Sequence, residues 1–307
     1  MKKVVVFKEP LFQRYGAPRL SFTYLFVILS NIFALIVPLY FCIATDGDLW
    51  KMYGTYREQP DVKFLYKFIM VLESTSPTSG KTNEIFVSTM DSLNVLRPES
   101  YRMANVKFHK NDANLDGIFD SFTLDATVPL AEDEQIVSMQ ALLFFNFRLQ
   151  KRVKFDMESV AYTSFESGLP ISGFKSRGSL MLRQTNPLGI RNYFSALYAE
   201  ETPLVDIIDS PTSITDSNIG HILEKYRERD VAADYVERYP IKSRAADSGE
   251  NGTFRLEMKV EIPEQEVLYI PTLMGVLKDA WVKYLPVVIL CWLLLERVKS
   301  FAFRQHL

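Results

Sequence analysis

The sequence predicts a membrane protein in which two transmembrane helices flank a mainly β exoplasmic domain. The domain is expected to be an antiparallel β-sandwich or barrel-like, with one helix near 217–229. Three observations predict it: an uncharged run of 26 residues near the N-terminus, a shorter apolar run near the C-terminus, and repeated period-two alternation between them. With 48% hydrophobic and 13% aromatic residues, the 307-residue chain is not intrinsically disordered. The formal charge of −2 is unevenly spread. Residues 1–19 hold five basic groups against one acid and 296–307 hold three against Glu296, whereas 46–295 hold 27 basic and 35 acidic residues. No folded stretch is net basic, so no nucleic-acid partner is expected.

The first element is Leu20 to Thr45, without a charged residue. As a helix it would extend about 39 Å, against a hydrocarbon core of about 30 Å, so it crosses with tilt or a kink at Pro38. The alternatives are a signal peptide cleaved near Cys42-Ile43-Ala44, though its apolar run would be unusually long, and a buried core helix.

The second span is shorter. Tyr284 to Leu295 gives only 12 uncharged residues, about 18 Å of helix. Taken as 277–299 it suffices, with Lys283 and Arg297 reaching opposite interfaces and Trp281, Tyr284, Phe301 and Phe303 suited to the aromatic belts. A buried or surface-lying C-terminal helix is the alternative. Basic flanks favour the cytoplasm. The organisation expected is therefore a cytoplasmic segment 1–19, spans 20–45 and 277–299, an exoplasmic domain 46–276 and a cytoplasmic tail 300–307.

Within the loop, strand-like runs occupy 62–72, with Val62, Phe64, Tyr66 and Phe68 at its alternate positions, and 85–90, 121–128, 136–147, 153–165, 175–184 and 254–262. Turn signals separate them at Ser76-Pro77, Ser79-Gly80, Arg97-Pro98, Asp116-Gly117 and Gly168-Leu169-Pro170. Residues Ser217–Arg229 break the pattern, with Ile219, Ile222, Leu223 and Tyr226 at helical spacing. The only two cysteines, Cys42 and Cys291, lie in the apolar runs, so the domain has neither a disulfide framework nor a cysteine-based zinc site.

The sharpest local pattern is Asp112-Ala113-Asn114-Leu115-Asp116-Gly117-Ile118-Phe119-Asp120. Asp112, Asn114, Asp116 and Asp120 place oxygens at positions 1, 3, 5 and 9 with glycine at 6, as in the first part of an EF-hand loop. Position 12 is Thr123 where a bidentate glutamate belongs, so the closer likeness is to DxDxDG-type loops of β-rich extracellular proteins. The reading is a candidate Ca²⁺ loop, and its alternative an Asx-rich turn bonding to its own backbone. No cofactor is required. Asn251-Gly252-Thr253 is a glycosylation sequon, expected to be exoplasmic. His109, His221 and His306 have no metal spacing, and the nucleophile elbow, P-loop and dinucleotide fingerprint are all missing. No catalysis and no small-molecule substrate are expected. In the first span, Ser30 and Asn31 could bond to another helix or within their own. Arg14, Arg19 and Lys299 suit anionic lipid of the bilayer.

Several stretches together resemble the transmembrane protein 231 family of the ciliary transition zone. They are Tyr56-Arg57-Glu58-Gln59-Pro60 with Val62 and Phe64, Asn114-Leu115-Asp116-Gly117, Tyr226-Arg227-Glu228-Arg229-Asp230-Val231 and Arg244-Ala245-Ala246-Asp247. Later come Ala280-Trp281-Val282-Lys283-Tyr284 and Glu296-Arg297-Val298-Lys299, with Phe301 and Phe303. The resemblance covers about residues 14–304 and rests on order and spacing. It implies a two-span protein of the transition-zone membrane complex, with tectonic and B9-domain proteins as partners, contributing to cilium assembly and to the barrier that controls entry of membrane proteins into the cilium. It implies no catalytic residues. The rival reading is an auxiliary two-span subunit of a transporter or lipid flippase.

Overall fold

The structure is a computed structural model describing residues 16, 18, 21–46, 50–78, 80–189, 204, 218–244 and 252–304. The chain divides into two compact units, residues 1–52 with 271–307, and residues 53–270.

The first unit holds two long helices. Helix α1 runs Phe22–Asp46, with Pro38 inside it. Of the described helices it alone is long and apolar enough to cross a membrane, over Phe22–Ala44 with a mean hydropathy of 2.4. The other helix of this unit, here α4, runs Leu273–Arg304 and contains Pro286. It carries Lys278, Asp279, Lys283, Glu296, Arg297, Lys299 and Arg304, which break its apolar surface into the short run seen in the sequence.

The second unit is mainly β. In chain order it comprises β1 (Gly54–Glu58), β2 (Asp61–Thr75), β3 (Thr82–Ser88), α2 (Asp91–Leu96), β4 (Asn105–Asn111), β5 (Ser121–Pro129), β6 (Gln135–Leu149) and β7 (Phe155–Gln184). Then follow β8 (Leu188–Gly189), α3 (Ile219–Arg227), β9 (Val231–Arg244), β10 (Thr253–Glu261) and β11 (Gln265–Ile270). Eight strands form one sheet in the order β3-β2-β6-β7-β10-β5-β4, with β9 beside β7; β1, β11 and β8 form a small second sheet.

The expected all-antiparallel arrangement is corrected at two places. The Gly168-Leu169-Pro170 signal does not end a strand: β7 runs through it for 30 residues. Its first part, up to Ile171, pairs with β6, and from Ile171 onward it pairs with β9 instead. Strand β10 also pairs with β7 and lies parallel to it. The short pair β11–β8 is parallel too.

The sheet curls until its strands meet across an aromatic core. The rings of Phe64 on β2 and Phe108 on β4 stack with centroids 4.2 Å apart, and Phe122 on β5 lies 5.5 Å from Phe145 on β6. Strict alternation feeds this core. On β10, Phe254, Leu256, Met258 and Val260 are buried, while Arg255, Glu257, Lys259 and Glu261 turn outward. The outward residues form cross-strand ion pairs, Arg255–Asp125 at 2.5 Å, Lys175–Glu257 at 2.9 Å and Arg177–Glu261 at 2.5 Å. A second apolar cluster on the opposite face joins Ile69, Phe86, Leu142, Phe144 and Val160 to Leu93 of α2 and to Ile219, Ile222 and Tyr226 of α3. Helix α3 forms at the expected place. The Asn218 side chain accepts from the Gly220 amide, Lys225 and Arg227 sit in the last turn, and the apolar stripe faces the sheet.

Candidate functional site

The acidic loop joins β4 to β5, and its carboxylates face its own amides. Asp112 Oδ2 accepts from the Gly117 amide at 3.0 Å, Asn114 Oδ1 from the Asp116 amide at 3.1 Å and Asp116 Oδ1 from the Ile118 amide at 2.8 Å. Asp120 Oδ2 accepts from the Ala113 amide at 2.8 Å, while its Oδ1 takes the Gln59 side-chain amide at 2.9 Å. These bonds, with the Gln59 contact foremost, hold the Asp120 carboxyl below its usual range. Leu115 and Gly117 adopt positive φ of 58° and 87°, which closes the turn. Among the described residues no group of three or more His, Cys, Asp or Glu side chains is placed to hold a metal ion. The loop's own hydrogen bonds account for its shape, as the Asx-turn alternative expects, and leave calcium binding to be tested by titration. Asn251, the sequon residue, lies outside the described residues, as do His306, Arg14 and Arg19. His109 is on β4 and His221 on α3, far apart in the fold's connectivity.

A cleft of about 650 Å³ lies between α3 and the β7–β9 part of the sheet. Val160, Tyr162, Leu223, Tyr226 and Tyr235 line it, with Arg183, Arg227 and Asp234. Its one carboxylate among the described residues, Asp234, pairs with Arg183 at 2.9 Å. Among the described residues no second carboxylate lines the cleft.

Two structural centres escaped the sequence reading. Glu158 is 2% exposed; it accepts from Lys67 Nζ at 3.2 Å and from the Leu204 amide at 2.6 Å, and its backbone carbonyl takes a bond from Arg229 at 2.8 Å. It ties β7, β2, residue 204 and the end of α3 together. Tyr226 lies beside it: its hydroxyl donates to the Ala233 carbonyl at 2.7 Å and accepts from the Ala233 amide at 2.8 Å. Burial pushes that phenol up to about 12. The signal available was the Tyr226–Val231 stretch, which the resemblance had already marked out.

Two tyrosines are held outward at irregular points of strands. Between Phe64 and Phe68 the β2–β6 register shifts, and Tyr66 takes a φ of 58° and is 71% exposed. The expected alternation Val62-Phe64-Tyr66-Phe68 therefore fails at Tyr66, because the bulge lifts it out of the core. The Thr89 hydroxyl fixes the bulge, accepting from the Phe68 amide and donating to the Tyr66 carbonyl, each at 2.9 Å. On β9, a second shift opposite Lys175–Arg177 puts Tyr239 at a φ of 55° and 86% exposed, just before Pro240. Among the described strands β9 pairs with β7 alone, so bulge, proline and charged neighbours guard an edge.

In the helical unit α1 and α4 pack antiparallel. Cys42 Sγ lies 3.9 Å from the Lys283 carbonyl, Tyr284 donates to the Leu35 carbonyl at 3.0 Å, and Lys299 Nζ donates to Asn31 Oδ1. Ser30 and Ala34 face the contact and are buried, whereas Phe22, Leu25, Leu29, Phe33 and Ile36 are more than half exposed.

The comparisons with known proteins agree over the full length. A family model described as Transmembrane protein 231 matches residues 1–307. Transmembrane protein 231 of Xenopus tropicalis is 28% identical over 305 residues, covering 98% of this chain and 93% of the relative. That of Gallus gallus is 27% identical, covering 100% and 92%, and that of Homo sapiens is 27% identical, covering 98% and 92%. Among solved structures, a cryo-EM structure of a proton-activated chloride channel covers 92% of this chain and 95% of its own at a TM-score of 0.31 and 7% identity, a likeness too slight to carry an argument. On the full-length family match, this chain belongs to the transmembrane protein 231 family.

Proposed function

We propose that this chain is a non-enzymatic membrane scaffold of the ciliary transition zone. Both long helices cross the bilayer, leaving residues 46–276 exoplasmic and both termini cytoplasmic. Helix α4 reaches the second interface through Lys283 and Arg297, whose long stems let the charges sit at the headgroups. Joined to a span at each end, the β unit works as a contact module for neighbouring membrane proteins. Its partners are the tectonic and B9-domain proteins and other transition-zone membrane proteins, and the assembly contributes to the diffusion barrier and to cilium assembly. The observation that carries the reading is the family match along all 307 residues. The helix pair, with its apolar surface turned outward, supports the membrane part.

The test is the position of the tagged endogenous protein against basal-body and axoneme markers, with a clean deletion alongside. The reading predicts a narrow band just distal to the basal body and leakage of non-ciliary membrane proteins into the cilium on deletion. A diffuse plasma-membrane or Golgi signal would overturn it in favour of an auxiliary subunit. Unchanged leakage would remove the barrier role.

A further inference from the structure

The main sheet has three outer strands, and they are finished differently. Strand β3 is covered: the Phe86 amide donates to the Ser100 carbonyl and the Arg102 amide to the Phe86 carbonyl, each at 2.8 Å, so residues 100–102 occupy its edge there. Strand β9 is blocked by its bulge and by Pro240, which has no N–H to offer a further strand. Strand β4 has neither device. Its seven residues pair with β5 in unbroken register, from Asn105 opposite Thr127 to Asn111 opposite Ser121, and none of them is proline. Among the described strands nothing pairs with its other side. The outward N–H and C=O groups of such an edge can take one more strand.

The ground beside this edge is aromatic and basic. Opposite it runs the stretch of β2 that β3 does not reach, residues 61–68. No ladder joins β2 to β4; rings meet instead, Phe64 on Phe108 at 4.2 Å and Tyr66 near Phe108 at 6.1 Å. Tyr66 is largely exposed, and a positive φ is strained for so bulky a residue. The two Thr89 bonds hold it there, and the next residue, Lys67, is tied to the buried Glu158. A large ring already fixed in place loses little freedom when it is covered, which suits an anchor for a partner. Residues 62–66 and 105–111 together carry the exposed Lys63, Lys107, Lys110 and His109 and no carboxylate. Two neighbouring acids offset them little: Asp61 reaches Lys63 only at 4.0 Å, and Asp125, opposite Lys107, is bound by Arg255.

We propose that the free edge of β4, with Tyr66 beside it, is the docking edge for an extended acidic segment of a partner ectodomain, which adds to the sheet as one more strand. Main-chain bonds to β4 supply the affinity, and the lysines and the Tyr66 ring supply the selection. Charge decides against a second copy of this chain, because pairing β4 with itself brings lysine strands together, and like charges on adjoining strands repel. Lysines on an edge ward off strands of their own kind and attract one that carries carboxylates. The proposal deepens the scaffold reading by naming the surface that its partner takes.

The experiment titrates the full chain, held in phosphatidylcholine nanodiscs, with labelled peptides of about ten residues that alternate Val with Glu or Val with Lys. Fluorescence anisotropy reads binding. The Glu peptide should bind at least about tenfold more tightly than the Lys peptide. Methylating every backbone nitrogen of the Glu peptide should abolish its binding, since it can then donate to no strand. Tyr66→Ala should weaken the Glu peptide by at least about tenfold, and Lys63→Gln together with Lys107→Gln should remove the preference for Glu. Denaturant unfolding of each variant checks that the β unit is still folded, and the methylated peptide needs no variant. Equal binding of the two peptides, undiminished binding of the methylated one, or binding that is indifferent to these substitutions overturns the proposal. So does a chain that is dimeric in mild detergent and becomes monomeric in Tyr66→Ala, which would make a second copy the occupant. Binding is measured on the purified chain, so its failure strikes this edge alone, whereas a diffuse signal in cells strikes the transition-zone reading alone.

Discussion

The β unit and the helix pair use the same residue types in opposite ways. In the β unit Phe68, Phe122, Phe144, Phe145, Phe147 and Phe254 are fully or almost fully buried, and the outward positions of β10 carry charge. In α1, Phe22 is 72%, Leu29 62% and Phe33 57% exposed, while the small or polar Ser30 and Ala34 are buried at the helix contact. Water drives apolar side chains inward. In hydrocarbon that drive is missing, and close approach and polar contacts hold helices together instead. The inversion fits a β unit folded in water and an α1 apolar enough to cross a membrane.

The sharpest way to break this contrast is to truncate one apolar residue on each side. Phe145→Ala should lower the stability of the β unit to denaturant by about 3–5 kcal/mol. Leu29→Ala, which empties no packed site, should leave that stability within about 0.5 kcal/mol. Equal losses would mean that the two units share one core. A smaller effect is expected at Gly178, where an added Cβ would lie 2.4 Å from the Val236 carbonyl oxygen and 2.7 Å from the Tyr235 ring. Gly178→Ala should therefore cost about 1–3 kcal/mol by forcing β7 and β9 apart, and a neutral result would show that the β9 edge gives way freely.

Tyr226→Phe tests whether the α3 cluster needs its polar centre. The change keeps the ring and deletes both bonds to Ala233, so the loss should be about 1–3 kcal/mol by the same denaturant measurement. Acid titration probes the outer face more gently. The Arg255 contact holds Asp125, and the Arg102 contact holds Glu134, below their usual carboxylate range. Groups with depressed values stabilise the fold above their unfolded pKa and lose that contribution as pH falls through the folded one. The thermal midpoint should thus be level near neutrality and decline below about pH 4. A midpoint that rises on acidification would contradict these assignments. Smallest of all, calcium tests the acidic loop: a rise in the midpoint that is lost in Asp116→Asn would support the calcium loop, and an unchanged midpoint the Asx turn.

Period two and period 3.6 made most of the core legible from sequence. The β2, β5, β6 and β10 runs and α3 emerge where alternation or helical spacing placed them, because each has one buried and one wet face. The continuity of β7 was illegible: Gly168-Leu169-Pro170 has turn chemistry, yet the strand continues because β9 and β10 take over its pairing beyond that point. Strands β1, β4 and β11 went unread because they are short or mostly exposed. Tyr66 was misread because a bulge held by Thr89, 23 residues away, is a tertiary fact. The acidic loop shows the limit for sites. Oxygen spacing was visible, but whether those oxygens face a cation or their own amides depends on backbone conformation. The Lys299–Asn31 contact, 268 residues apart, needed the helix register.

The most direct test of the account is the side of the membrane on which the β unit lies. With Cys42 and Cys291 replaced by serine, Leu115→Cys, at an 86% exposed loop position, and Ser300→Cys are treated with an impermeant maleimide on intact cells. The account predicts labelling at 115 without permeabilisation and at 300 only after it. Protection of 115 in intact cells, with labelling once they are opened, would contradict an exoplasmic β unit held by two spans.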